Sequence, residues 1–242
     1  MSGHSKWATI KRAKGAADIK RGLIFTKLSN GITVAVKKGG GIADPNLNFR
    51  LRLVIEAAKS QNMPKETIER AIERALGKDG ASLEEVTYEG FAPNGVAIII
   101  EAATDNIPRT ASQIKSVFSK EGGSFGRKGS VSYQFKQVGQ IVVKKDDKSL
   151  EEIFDQAVEC GAEDIEDRGG EVVIYTAYAD TARTKDNLSE KGLNIVSVDL
   201  IKKPLVQMHI TDKTKLEKTT NFLEKLEELD DVQKIYTNLA EY

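Results

Sequence analysis

The chain has a single cysteine, Cys160, and two histidines, His4 and His209. One thiol cannot close an internal disulfide, and a zinc site cannot be assembled from one cysteine and two histidines. A reducing compartment and no cofactor are therefore expected. Proline is scarce, at 5 residues, and the 20 glycines are scattered, which excludes collagen-like and long disordered tracts. The longest apolar run, Val96–Ile100, is far below the roughly 20 residues that span a bilayer. The opening stretch MSGHSKWATIKRAKG lacks the apolar core of a secretory signal. A cytoplasmic protein that makes no membrane contact is expected.

Net charge is also missing, since 36 Lys+Arg balance 36 Asp+Glu. The balance hides a division. Residues 1–78 hold 16 basic and 6 acidic side chains, leaving 20 basic and 30 acidic for residues 79–242. The extreme is residues 1–40, where nine basic side chains face one acid, Asp18. A segment this basic is expected to meet a polyanion.

The hydrophobic pattern divides the chain in a similar way. Residues 1–15 carry no apolar period and read as an arm. Phe25, Leu28, Ile32 and Val36 recur at helical spacing, and Gly39-Gly40-Gly41 ends that helix. A second helix opens at Pro45-Asn46 with Leu51, Val54, Ile55 and Ala58 on one face. A third follows Asn62-Met63-Pro64 with Ile68, Ile72, Ala75 and Leu76. Beyond residue 79 the period changes. Strands are predicted at 96–100 and 131–135 with a helix at 107–120 between them. A self-contained βαββαβ order follows over 140–200, its first helix capped by Ser149 with Glu152 three residues on. A strand at 205–210, a helix at 213–229 and a strand at 232–237 complete a second such unit. The fold class is thus α+β: a three-helix bundle followed by two ferredoxin-like α/β sandwiches, one inserted in the central hairpin of the other. The expected domains are 1–78, 79–137 with 204–242, and 138–203.

Motifs of catalysis fail on context. Gly122-Gly123-Ser124-Phe125-Gly126 matches G-x-S-x-G, but a nucleophile elbow needs a strand-to-helix turn, and this motif follows a helix and precedes a strand. The run Gly39–Gly41 follows a helix and lacks the lysine and hydroxyl of a phosphate loop, so it reads as a helix terminator. It keeps the alternative that Lys37, Lys38 and the glycines approach a phosphate backbone. The acidic stretch Asp146–Asp167 has no calcium-loop spacing and reads as a solvated face that could repel nucleic acid. No enzymatic activity and no small-molecule substrate are expected.

The pattern that does carry chemistry is basic with one aromatic. Lys6, Lys11, Arg12 and Lys14 can neutralise phosphates, and Trp7 either stacks on an unpaired base or anchors the arm to the helices. Lys20, Arg21, Lys27, Lys37 and Lys38 extend the positive surface along the first helix. Arg50 and Arg52 lie on the second helix, away from its apolar face. The expected partner is nucleic acid, DNA or ribosomal RNA, with the ribosome a further candidate. The alternative is a protein-interaction adaptor that works through the acidic sandwiches.

These residues also carry a resemblance. Met1–Trp7, Ile10-Lys11, Phe25–Leu28, Gly39-Gly40, Asp44-Pro45, Asn48, Asn62–Pro64, Ile68–Ile72, Tyr88–Gly90 and Gly129–Val131 together resemble the YebC/PmpR family over essentially the whole chain. The resemblance implies three domains, one inserted in another, and a cytoplasmic regulator of gene expression with no known catalytic residues. Members are described as transcriptional regulators that bind DNA, or as translation factors at the ribosome, among them a mitochondrial activator of cytochrome oxidase translation.

Overall fold

The computed structural model describes residues 17–77 and 82–240. Three helices come first: α1 (Ala17–Lys38), α2 (Phe49–Ser60) and α3 (Lys65–Leu76). Ile32, Val36, Leu51, Ile55, Ala58, Ile68 and Ala71 form their shared core, with Phe25, Leu28, Val54, Ile72 and Ala75 packed against it. Leu76 was expected in that stripe and is exposed, because α3 ends there and Gly77 follows. Helix α2 starts four residues later than Pro45-Asn46 suggests. Asp44 holds the intervening turn, accepting from the Asn46 N–H on its side chain and from the Leu47 and Asn48 N–H groups on its carbonyl.

The chain continues through β1 (Glu84–Phe91), β2 (Ala97–Thr104), α4 (Ile107–Glu121) and β3 (Ser124–Phe125). It then forms β4 (Phe135–Lys144), α5 (Leu150–Glu159), β5 (Asp164–Asp167), β6 (Glu171–Ala177), α6 (Thr181–Glu190) and β7 (Ile195–Pro204). It closes with α7 (Lys213–Glu227) and β8 (Val232–Thr237). Residues 135–205 make one compact unit, and the remaining described residues make the other.

In the 135–205 unit all four strands pair antiparallel in the order β5-β6-β4-β7. This is the ferredoxin-like arrangement expected from its βαββαβ sequence. The Ser149–Glu152 capping box is present, and Ile141, Val143, Ile153, Ala157, Val172, Ile174 and Leu188 fill the core.

The other sheet has the order β3-β1-β2-β8 and is also antiparallel. Its spatial order matches that of its neighbour, but the chain takes a different route. The third position of the sandwich is filled by β1, which precedes the rest, and the insertion lies between β3 and α7 instead of in a central hairpin. Two predicted strands are therefore absent. At 131–135 the chain makes a single 3-10 turn, Ser132–Gln134, and Phe135 opens β4. At 205–210 Leu205 and Val206 are exposed, and only the isolated bridge Met208–Leu239 remains. Helix α1 packs on this sheet as well as on its partner helices, touching β2 and β8. Gly31 permits the close approach of α2, since a Cβ there would lie 3.3 Å from the Val54 methyl.

Candidate nucleic-acid interface

Lys6, Trp7, Lys11, Arg12 and Lys14 lie outside the described residues, and Lys20 is on the first turn of α1 with its side chain also outside them. The structure locates the six others. Arg21 is exposed on α1. Lys27 turns inward, and its ammonium donates to the Glu227 carbonyl at the end of α7. Burial lowers its pKa, with the Glu227 and Asp230 carboxylates acting against the shift, and burial in turn raises the pKa of Glu227. Lys37 donates to the Leu83 carbonyl just before β1 at 2.6 Å. Lys38 and Arg50 both pair with the Glu85 carboxylate on β1, Lys38 at 3.4 Å. Arg52 lies over the Phe49 ring, 5.2 Å from its centroid. Lys37, Lys38 and Arg50 thus tie the helices to β1 and the residues just before it, and Lys27 ties them to α7. Of the expected surface, the structure leaves Arg21, the half-exposed Lys38 and the Arg52 edge facing outward.

The Gly39–Gly41 run has a structural explanation. Asn48 caps α2 by accepting from the Leu51 N–H at 3.1 Å. Its side-chain amide donates back to Ala35 O at 3.0 Å and Ile42 O at 2.9 Å, satisfying a carbonyl at the end of α1. A Cβ on Gly39 would fall 2.2 Å from that amide nitrogen, so only glycine fits. The phosphate-approach alternative is not needed to account for this loop.

The helices' outward faces show mixed charge. On α3, Lys65 pairs with Glu69 and Arg70 with Glu66. This is a solvated i,i+4 pattern, unlike a groove-reading helix that presents Arg, Asn or Gln to bases.

Sequence reasoning assigned no role to Glu89, although the Tyr88-Glu89-Gly90 motif pointed to it. Its side chain is 4% exposed on β1. The carboxylate accepts from the N–H groups of Gly129 and Val131 at 2.8 Å and of Ser132 at 2.9 Å. Burial pushes its pKa up, but these backbone donors outweigh burial and hold it below the usual glutamate value. They also explain the missing 131–135 strand, because the N–H groups a ladder would use are already bonded.

The acidic stretch is largely engaged as well. Lys136–Glu163, Lys145–Asp167, Arg168–Glu166, Lys191–Glu159 and Lys203–Asp164 are ion pairs, and Glu152 belongs to the helix cap. The glycine-serine motif sits at the α4 C-cap, where Gly122 takes φ 79°, and leads into β3. Among the described residues there is no group of three or more His, Cys, Asp or Glu side chains placed to hold a metal, and no helix is long and apolar enough to cross a membrane.

A basic helical module joined to a pair of antiparallel α/β sandwiches, one spliced into the other, is the architectural class. Comparison with known proteins narrows it. The model of the TACO1/YebC protein N-terminal domain matches residues 5–78, and that of the TACO1/YebC second and third domain matches residues 83–239. A relative from Finegoldia magna, named "Probable transcriptional regulatory protein", is 44% identical over 239 residues, covering 98% of both chains. A relative of the same name from Dictyoglomus thermophilum is 46% identical over 240 residues, covering 98% of this chain and 95% of its own. The crystal structure of a conserved hypothetical protein from Aquifex aeolicus superposes with a TM-score of 0.83 at 42% identity, covering 97% of this chain and 96% of that one. The chain belongs to the TACO1/YebC family.

Proposed function

We propose that this protein is a non-enzymatic cytoplasmic regulator of gene expression that binds nucleic acid through its basic N-terminal part. The naming of its relatives as transcriptional regulatory proteins supports the regulatory role. The observation that carries the binding role is the excess of ten positive charges in residues 1–78. Lys27, Lys37 and Arg50 are engaged within the fold, so the contact surface is Lys6, Trp7, Lys11, Arg12, Lys14, Lys20 and Arg21, with Lys38 and Arg52 at its edge. The mixed charge on α3 favours backbone contacts over base reading. Structured ribosomal RNA is accordingly the preferred target and duplex DNA the weaker one.

The test uses the full chain, because Lys27, Lys37 and Arg50 anchor the helices to the adjoining sandwich and a 1–78 fragment would lose those anchors. In competition binding at physiological salt, a structured ribosomal RNA hairpin should displace a DNA duplex of equal length, and the protein should sediment with ribosomes in sucrose gradients. Protection of one short DNA operator, without ribosome association, would reverse the preference.

A second reading, a protein-interaction adaptor, has one observation in its favour. Leu150, Phe154 and Val158 repeat every fourth residue along α5 and are 40%, 50% and 51% exposed. If this stripe is the working surface, Phe154→Ser should abolish partner capture that survives nuclease treatment, and leave RNA binding intact.

A further inference from the structure

Outside the N-terminal helices, two adjacent exposed cations, Arg127 and Lys128, share one turn. Between β3 and the 3-10 turn the chain reads Gly126-Arg127-Lys128-Gly129-Ser130. The Ser130 N–H donates to Arg127 O at 3.1 Å, closing a four-residue turn with Lys128 and Gly129 at its centre. Gly129 has φ 89°, the left-handed value that the third position of a type II turn requires and that glycine adopts without strain. Arg127 and Lys128 are exposed, and neither side chain has an ion pair or hydrogen bond among the described residues. The ammonium of Lys115 sits 5.2 Å from the centroid of the Phe125 ring, at the foot of the turn.

A solvent-exposed turn with two long cationic side chains is ordinarily mobile, but Glu89 pins this one at both ends. Its backbone carbonyl accepts from the Gly126 N–H at 2.8 Å, and its carboxylate takes the N–H groups of Gly129, Val131 and Ser132. Inside the turn, a Cβ on Gly126 would lie 2.2 Å from the Ser130 hydroxyl, so the backbone is packed to its limit. A buried anion thus anchors a tip that presents only positive charge. Two adjacent cations on a preorganised, glycine-flanked backbone offer the charge that phosphates of a nucleic-acid strand attract.

We propose that the Gly126–Ser130 turn is a second phosphate-contact site, located on the discontinuous sandwich, with Arg127 and Lys128 as the contacts and Glu89 as the positioning residue. The site deepens the nucleic-acid-binding reading and rests on it. It would make the protein a two-point binder that grips a strand through the N-terminal part and through this turn.

The experiment measures binding of the full chain to a fluorescent RNA hairpin from about 50 to about 200 mM salt, in four forms: wild type, Arg127→Ala/Lys128→Ala, Lys11→Ala/Arg12→Ala/Lys14→Ala, and Glu89→Gln. Each phosphate contact contributes roughly 0.7 to 0.9 to the slope of log K against log salt. The turn variant should flatten the slope by about 1.4 to 1.8, shrinking the affinity lost across that salt range about tenfold. Its thermal midpoint should not move, because neither side chain has a partner to lose among the described residues. Glu89→Gln should flatten the slope although both cations remain, and should speed hydrogen exchange at Gly129, Val131 and Ser132. If the arm variant flattens the slope while the turn variant matches wild type, the turn is not a contact and the N-terminal reading stands. If wild type does not bind the hairpin at all, both readings fall. If the turn variant loses a co-purifying acidic protein with no change in slope, the turn recognises protein instead, and the proposal is overturned.

Discussion

The helical module and the 135–205 sandwich carry excess charge of opposite sign, yet both engage much of it internally. Residues 1–78 have 16 basic and 6 acidic side chains, while residues 135–205 have 10 basic and 15 acidic. In the helices, Lys27 and Lys37 bond backbone carbonyls, and Lys38 and Arg50 share Glu85. In the sandwich, Glu159, Glu163, Asp164, Glu166 and Asp167 each face a Lys or Arg. Formal charge therefore overstates what either region offers a partner. What differs is the charge left facing outward among the described residues: Arg21 and Lys38 on the helical side, and scattered carboxylates such as Asp147, Glu151 and Asp155 in the sandwich.

The largest effect that could break this comparison lies in the loop joining α1 to α2. If Gly39–Gly41 is a structural terminator, Asn48→Ala removes a helix cap, takes the donor from the Ile42 carbonyl and leaves Ala35 O only the Gly39 N–H. It should then cost roughly 2 to 3 kcal/mol of stability with no change in the salt slope of RNA binding. A flattened slope in a variant of unchanged thermal midpoint would make the loop a phosphate contact.

A smaller effect sharpens the helical side. Lys27→Met and Lys37→Met together remove two formal charges already bonded within the fold. Chemical denaturation should show a change of about 1 to 2 kcal/mol, and the salt slope should shift by less than about half a unit, where two true phosphate contacts would remove about 1.4 to 1.8.

Acid should expose the carboxylates that the fold holds down. Glu89 is depressed because its three backbone donors outweigh burial. Asp164 is depressed chiefly by its bond to Lys203, and Asp167 by its bond to Lys145. A folded pKa below the unfolded one means that the unfolded chain binds more protons in that interval. The stabilisation is thus complete above the ordinary values of 4.5 for Glu and 3.8 for Asp, and is lost as pH falls through the folded ones. The thermal midpoint should stay level from neutrality down to about pH 5 and drop below it, and Glu89→Gln should reduce the drop. An equal drop in that variant would assign the acid lability elsewhere.

The smallest effect concerns the exposed pairs of the sandwich. Lys136→Met breaks the ion pair with Glu163, whose side chains are 56% and 40% exposed. Denaturation should register less than about 1 kcal/mol, and RNA binding should be unchanged. Weakened binding would show that the acidic side helps set affinity.

The 135–205 sandwich was legible because each signal is local: a capping box at Ser149, short apolar runs in β4 and β6, and a glycine turn at Gly169-Gly170. The other sandwich was legible only in part: β2, α4, α7 and β8 fall where the pattern puts them, but the strand beside β2 and β3 does not. Its third strand comes from residues 84–91, where Glu84, Glu85, Glu89 and Gly90 interrupt the apolar pattern, and no local rule anticipates a carboxylate 4% exposed. Val131, Tyr133 and Phe135 alternate like a strand, but Glu89, some forty residues earlier, takes the N–H groups that pairing would need. The cations failed for the same reason. Lys27 looks like any surface lysine until α7 places the Glu227 carbonyl beside it, a partner 200 residues away. Sequence reading located the positive charge and the domain pattern, but the distribution of that charge between internal bonds and solvent depends on contacts that only the folded chain makes.

The central claim is that the N-terminal part binds nucleic acid through its arm. The most direct test is the salt dependence of RNA-hairpin binding by the full chain, wild type against Lys11→Ala/Arg12→Ala/Lys14→Ala. The account predicts weaker binding and a slope flatter by about 2 to 3 units, with the fold intact. An unchanged slope and affinity would contradict it and make the arm a structural or protein-docking element.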